Sequence, residues 1–127
     1  MGQQVLLDST ILIAALSRSD SHHTRALDFF GKTSKTQCAI STISVGEILI
    51  RPSSVGQESV SLFIKGMKQL VTEIIPFDLN HAQLSAEIRA KHKTTFADAM
   101  IIATAILSNR ELITFDRKMM GIYERVK

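Results

Sequence analysis

Short runs of aliphatic residues alternate along this chain with segments of helical spacing, and that alternation most restricts the folds open to it. QVLLD (4–8) is apolar and β-rich, and it is followed at once by Ser-Thr and the helix-like ILIAALSR. Ser21 or Asp20 is placed to cap a second helix through Phe30, which Gly31 closes. QCAIS (37–41) feeds a helix around TISVGEILI that is expected to stop at Arg51-Pro52, because proline disfavours helical backbone at the residue before it. From Gln57 to Leu70 the spacing sets Val60, Phe63, Ile64 and Met67 on one side of a helix. The strand TEIIPF, a helix from Asp78 toward Lys93, a helix from Thr95 to Asn109 and the buried strand ELITF (111–115) complete the series. Strands that are apolar at nearly every position are covered on both faces. The predicted architecture is therefore a three-layer α/β sandwich around a mostly parallel sheet.

At 127 residues the chain fits one domain, 1–127, large enough to close a hydrophobic core unaided. Apolar residues make up 45% and charged ones 21%, with two prolines, which excludes disordered and low-complexity classes. No apolar run is long enough to span a bilayer, and the N-terminus lacks a basic region or small-residue cleavage site. A soluble, cytoplasmic protein without a membrane partner is expected. Cys38 is the only cysteine, so no internal disulfide forms and its ordinary role is that of a small buried hydrophobe. His22, His23, His81 and His92 lack zinc-type spacing. A net charge of +3 leans toward polyanionic partners.

Four carboxylates stand in apolar surroundings. Asp8 ends the first strand, Asp116 follows ELITF at the same kind of junction, and Glu47 and Asp98 lie in helices that directly follow turns. An ionised acid in such a place is costly unless it is paired or hydrogen-bonded. These segments hold no lysine or arginine for each acid, whereas one bound divalent cation, Mg²⁺ or Mn²⁺, would compensate all four. Each acid also has a structural reading. Asp8 is placed to cap the next helix, Asp98 to complement a helix start, Glu47 to close a capping box with Ser44, and Asp116 to make a turn. Capping does not explain why two acids fall at strand ends and two near helix starts. In open parallel sheets that rim is where ligands bind.

VLLDSTILIAAL, STISVGEIL, FADAMIIATAI and LITFDRKM, in this order and at these distances, resemble the signature segments of PIN-domain ribonucleases, most closely the VapC-type toxins of toxin–antitoxin pairs. The likeness spans nearly the whole chain. It implies a PIN-like fold, metal-dependent cleavage of RNA, and Asp8, Glu47, Asp98 and Asp116 as the acidic catalytic and metal-binding cluster, with Thr114 in support. It also implies a homodimer and a small antitoxin protein that blocks the acidic crevice. Two positions depart from the family pattern: Thr10 stands where an asparagine is usual, and Met119 where a further acid often lies.

A metal held by carboxylates acidifies a bound water and neutralises phosphate oxygens, which is what phosphodiester hydrolysis needs. Asp8 and Asp98 are expected to be the principal ligands, and Thr10 retains polar support through its hydroxyl. RAKHK (89–93) precedes Asp98, and Arg117 and Lys118 follow Asp116, so Arg89, Lys91, Lys93, Arg117 and Lys118 are the cations expected to hold RNA phosphates. No basic motif is interleaved with aromatics, which points to recognition of RNA by shape. Two other readings fit the same residues. One is a phosphoaspartyl phosphatase with Asp8 as nucleophile, although such enzymes need a second aspartate where Thr10 stands. The other is a PIN-like module that binds RNA or protein without turnover.

Overall fold

The structure, a computed structural model, describes residues 2–127. Four strands form one parallel sheet: β1 (Val5–Leu7), β2 (Cys38–Ser41), β3 (Glu73–Ile75) and β4 (Glu111–Ile113), in the order β3-β2-β1-β4. Between and after them run α1 (Ser9–Leu16), α2 (His23–Lys32), α3 (Thr42–Val55), α4 (Gln57–Leu70), α5 (Leu79–Lys91), α6 (Phe96–Leu107) and α7 (Arg117–Val126). β1 and β2 are central and buried at every position. β3 and β4 lie at the edges, where an exposed glutamate, Glu73 or Glu111, begins each strand.

Successive strand side chains face opposite ways, and the core divides accordingly. Leu6, Ala39, Ile75 and Leu112 point to the face covered by α5, α6 and α7, where Ile88, Ile101, Ile102 and Ile122 meet them. Val5, Leu7, Cys38 and Ile40 point to the other face, against Ile11 and Leu12 of α1, Ile48 of α3 and Met67 of α4. The expected three layers are present, and Cys38 is the buried hydrophobe anticipated. Met67, on the apolar side of α4, is consumed by this core.

Several boundaries differ from the sequence expectation. The helix expected to end at Arg51-Pro52 continues to Val55, because Pro52 forfeits only its own donor while its carbonyl still accepts from Gly56 N–H at 3.0 Å. The turn to α4 comes at Gly56, whose φ of 149° suits a residue without a side chain. α2 starts at His23, and Asp20 instead accepts from His22 N–H at 2.8 Å in the preceding turn. Gly31 lies inside α2, which runs on to Lys32. The strand read as TEIIPF pairs only to Ile75, and the helix read to Asn109 ends at Leu107, with Asn109 at φ 55°. α7 was not read from the sequence at all. Its buried face is Met119, Ile122 and Tyr123, a helical spacing hidden among charged residues.

Candidate active site at the carboxyl edge of the sheet

The chain leaves β1 for the helices of one face and leaves β4 for α7 on the other, although these two strands are neighbours. Such a reversal opens a crevice at the strands' carboxyl ends. Asp8 follows β1 there, and its N–H donates to the Ile113 carbonyl at 3.0 Å, fixing the backbone to β4. The side chain is only 3% exposed. It occupies the cap position of α1 yet makes no capping bond. Instead its Oδ2 accepts from the Thr10 and Thr114 hydroxyls, both at 2.8 Å. The two hydroxyls lie 3.5 Å apart, and with both protons committed to the carboxylate neither is left for the other. Both threonines expected to support the site therefore orient Asp8.

Thr114 does more. Its Oγ1 also accepts from Asp116 N–H at 3.0 Å, so one hydroxyl ties the two strand-end acids together. Asp116 in turn caps α7, its Oδ1 accepting from Lys118 and Met119 N–H at 2.9 and 3.1 Å. Asp116 is therefore a helix cap where a turn aspartate was expected, and the cap uses one oxygen. Asp116 Oδ2 and Asp8 Oδ1 have no protein donor among the described residues.

Glu47 lies well inside α3, because the helix is capped by Ser41, whose Oγ accepts from Ile43 N–H at 3.0 Å. The capping box with Ser44 is not formed. Burial pushes the Glu47 carboxyl above its usual range and the charge of Asp8 adds to this; the facing Ser9 side chain offsets part of it, and Asp98 raises it further. α6 runs back toward the start of β4, which places its own start at the carboxyl edge. There Thr95 Oγ1 accepts from Asp98 N–H at 3.1 Å. Burial again raises the Asp98 carboxyl, followed by the charges of Asp116 and Asp8, with Thr95 and Lys118 pulling it back. Asp98 thus feels both strand-end acids, and Glu47 feels Asp8 and Asp98.

The four acids influence one another in pairs, but among the described residues no three His, Cys, Asp or Glu side chains are gathered, as they stand, into a group that could hold a metal ion. The donor chemistry nonetheless suits Mg²⁺ or Mn²⁺: hard carboxylate oxygens, Asp8 Oδ1 and Asp116 Oδ2 among those without a protein donor, in a site where negative charge accumulates. Two buried hydroxyls at the starts of these helices, Ser44 Oγ and Thr94 Oγ1, also lack a hydrogen-bond partner among the described residues.

Of the cations expected to bind phosphates, Arg89, Lys93, Arg117 and Lys118 are exposed, whereas Lys91 is paired with Glu87 at 3.0 Å, one helical turn away. Lys91 is therefore already partly neutralised. Arg25 was missed by sequence reasoning. Its guanidinium lies 4.6 Å from the centre of the Phe115 ring, and it borders a 360 Å³ recess together with Thr114, Phe115, Asp116 and Arg117. Nothing in the local sequence around Arg25 signals this, since the contact arises only when α2 packs beside the end of β4.

A family model for the PIN domain matches residues 5–124. The chain belongs to the PIN domain family. Solved structures similar to this PIN domain include VapC20 of Mycobacterium tuberculosis, described as a sarcin-ricin-loop-cleaving toxin, with a TM-score of 0.76 at 14% identity over 92% of this chain and 93% of that one. FitAcB of Neisseria gonorrhoeae superposes with a TM-score of 0.77 at 21% identity, over 94% and 93% of the two chains. A toxin–antitoxin complex from Klebsiella pneumoniae gives 0.72 at 27% identity, over 92% and 90%. Among curated proteins nothing matches the chain.

Proposed function

We propose that this PIN domain is a metal-dependent endoribonuclease that hydrolyses RNA phosphodiester bonds as the toxin of a toxin–antitoxin pair. The observation that carries the reading is the setting of Asp8: two threonine hydroxyls hold one carboxylate oxygen, the other has no protein donor among the described residues, and the charge of Asp8 reaches both Glu47 and Asp98. Asp8 and Asp98 are the principal ligands for Mg²⁺ or Mn²⁺, with Glu47 and Asp116 completing the acidic set. The bound cation supplies an acidified water and neutralises developing charge on phosphate oxygens. Thr10 and Thr114 keep Asp8 in place, and Asp116, fixed by its own backbone bonds, cannot swing away without uncapping α7. Burial and neighbouring charge raise the Glu47 carboxyl, which makes it a better proton acceptor than an ordinary surface carboxylate.

The neighbouring structures described as toxins and toxin–antitoxin complexes support a cognate antitoxin as partner. A homodimer is also part of the proposal, and Ile50, Val55 and Leu62, which stay exposed on α3 and α4, are apolar surface available to either partner. No helix among the described residues is long and apolar enough to cross a membrane. The test is incubation of the purified protein with structured cellular RNAs, with Mn²⁺ or with chelator, beside an Asp8→Asn variant. Cleavage that requires the metal and disappears in the variant is expected. RNA binding without cleavage in either condition would favour the second reading, a PIN-like binding module. Met119 keeps that reading in view: its side chain is 3% exposed and packed in the core, so position 119 contributes no fifth acid.

A further inference from the structure

Beyond the carboxylates, a second recess of 250 Å³ opens on the surface of α7. It is lined by Lys93, Arg117, Lys118, Gly121, Ile122 and Arg125. Four of these six residues are cations, all four are exposed, and none takes part in an ion pair among the described residues. Cations gathered with no acid among the lining residues repel one another, and an anion from outside relieves that repulsion. Two guanidinium forks and two ammonium groups match the oxygens of a phosphate, and no acid lines the recess to compete for them.

Its position gives the anion a context. Arg117 and Gly121 also line the recess that holds Thr114 and Asp116, so the two depressions adjoin. Lys118 stands close enough to Asp98 to act on its carboxyl. A nucleic-acid strand carries a charge at every nucleotide, so a strand with one phosphate at the acids brings others along this path. We infer that the Lys93–Arg117–Lys118–Arg125 recess is a phosphate subsite that holds RNA backbone beside the bond to be cut, with Arg125 as a binding residue on its far wall. The inference rests on the ribonuclease reading for the identity of the strand, but not on turnover. It assigns to Arg125 a role that its place near the chain end did not signal. It also gives recognition a register, since a strand seated in this recess is fixed in its distance from Asp8 and Asp98.

Gly121 offers a probe that leaves the cations in place. It lies inside α7, and a Cβ added there meets nothing within 4 Å. Replacing a helix-interior glycine favours the helix, so Gly121→Ala and Gly121→Glu should both fold, and only the second puts a carboxylate into the recess. Binding of a short fluorescent RNA hairpin is measured in chelator across a salt series. Lys93→Ala/Arg125→Ala and Gly121→Glu are each expected to weaken binding about tenfold at low salt, and the double variant to flatten the slope of log affinity against log salt by roughly 1 to 2. Gly121→Ala, which changes no charge, should keep the wild-type salt slope and so separates the added carboxylate from the added bulk. Unchanged affinity and slope in both altered proteins, with wild-type RNA binding intact, would overturn the inference alone. So would unchanged RNA binding coupled to lost binding of poly-glutamate, which would make the recess a seat for an acidic protein segment. A wild-type protein that binds no RNA overturns the ribonuclease reading and this inference together.

Discussion

Glu47 and Asp98 hold their protons above the ordinary carboxylate range for the same reasons, burial first and neighbouring negative charge second. The folded chain therefore binds those protons more tightly than the unfolded chain, and stability falls as pH rises from ordinary carboxylate values through the raised ones. Asp78 acts in the opposite sense. Its hydrogen bonds with His81 hold it below its usual range, so its contribution is present above that range and lost as pH falls through the lowered value. From these three groups, the metal-free protein should melt highest in mildly acidic solution, between the two windows. Melting in chelator across pH checks this. Asp98→Asn is expected to flatten the decline toward neutral pH, to leave the metal-free protein at least as stable as the wild type, and to abolish cleavage; a lower melting temperature would count against an acidic cluster. The acids could be found in the sequence because apolar neighbours make a carboxylate conspicuous. Arg25 and Phe115 could not, because their contact exists only in three dimensions.

For α7 the functional and structural roles of one residue can be separated. Asp116 caps the helix through Oδ1 and belongs to the acidic set through its charge. Asp116→Asn keeps an oxygen acceptor for the two N–H groups, whereas Asp116→Ala removes it at a cost of about 0.5–2 kcal/mol. Denaturant unfolding should therefore separate the variants, with Asn close to wild type and Ala destabilised, while both lose cleavage. Equal destabilisation would mean that the cap is not what the carboxylate supplies. Among the elements, β1 and β2 were readable because central strands are apolar throughout, and α4 matched its expected span from Gln57 to Leu70. Edge strands read too long, since apolar residues continue past the last paired position. Pro52 was read as a stop because its effect on the preceding residue is only a bias, and packing overrode it. α7 escaped because its apolar positions, Met119 to Tyr123, form a short group with Arg117 and Lys118 before it and Glu124 and Arg125 after it.

The two ends of the sheet are built from different interactions. At the carboxyl edge lie the acids. At the other, the half-hidden Arg110 guanidinium donates to the carbonyls of Val5 and Gln37, each at 3.1 Å, and to Glu73 at 2.9 Å, joining the beginnings of three strands. Arg110→Met keeps the apolar stem but strands those acceptors, and a loss of about 1.5–3 kcal/mol is expected on unfolding. RNA cleavage below the melting range should be retained, because the contacts lie away from Asp8. An inactive but stable Arg110 variant would show that the two ends are coupled. The order of strands around β1, and with it the switch at the carboxyl edge, was not readable from residues; it depends on which side of β1 the last strand joins.

Gly56 ends α3 and begins α4 in a single residue, with no intervening linker. A side chain there would meet no neighbour but would be strained by the positive φ, and α3 is the helix that bears Glu47. A position with no chemistry of its own thus decides how the helix that bears Glu47 is ended and the next one begun.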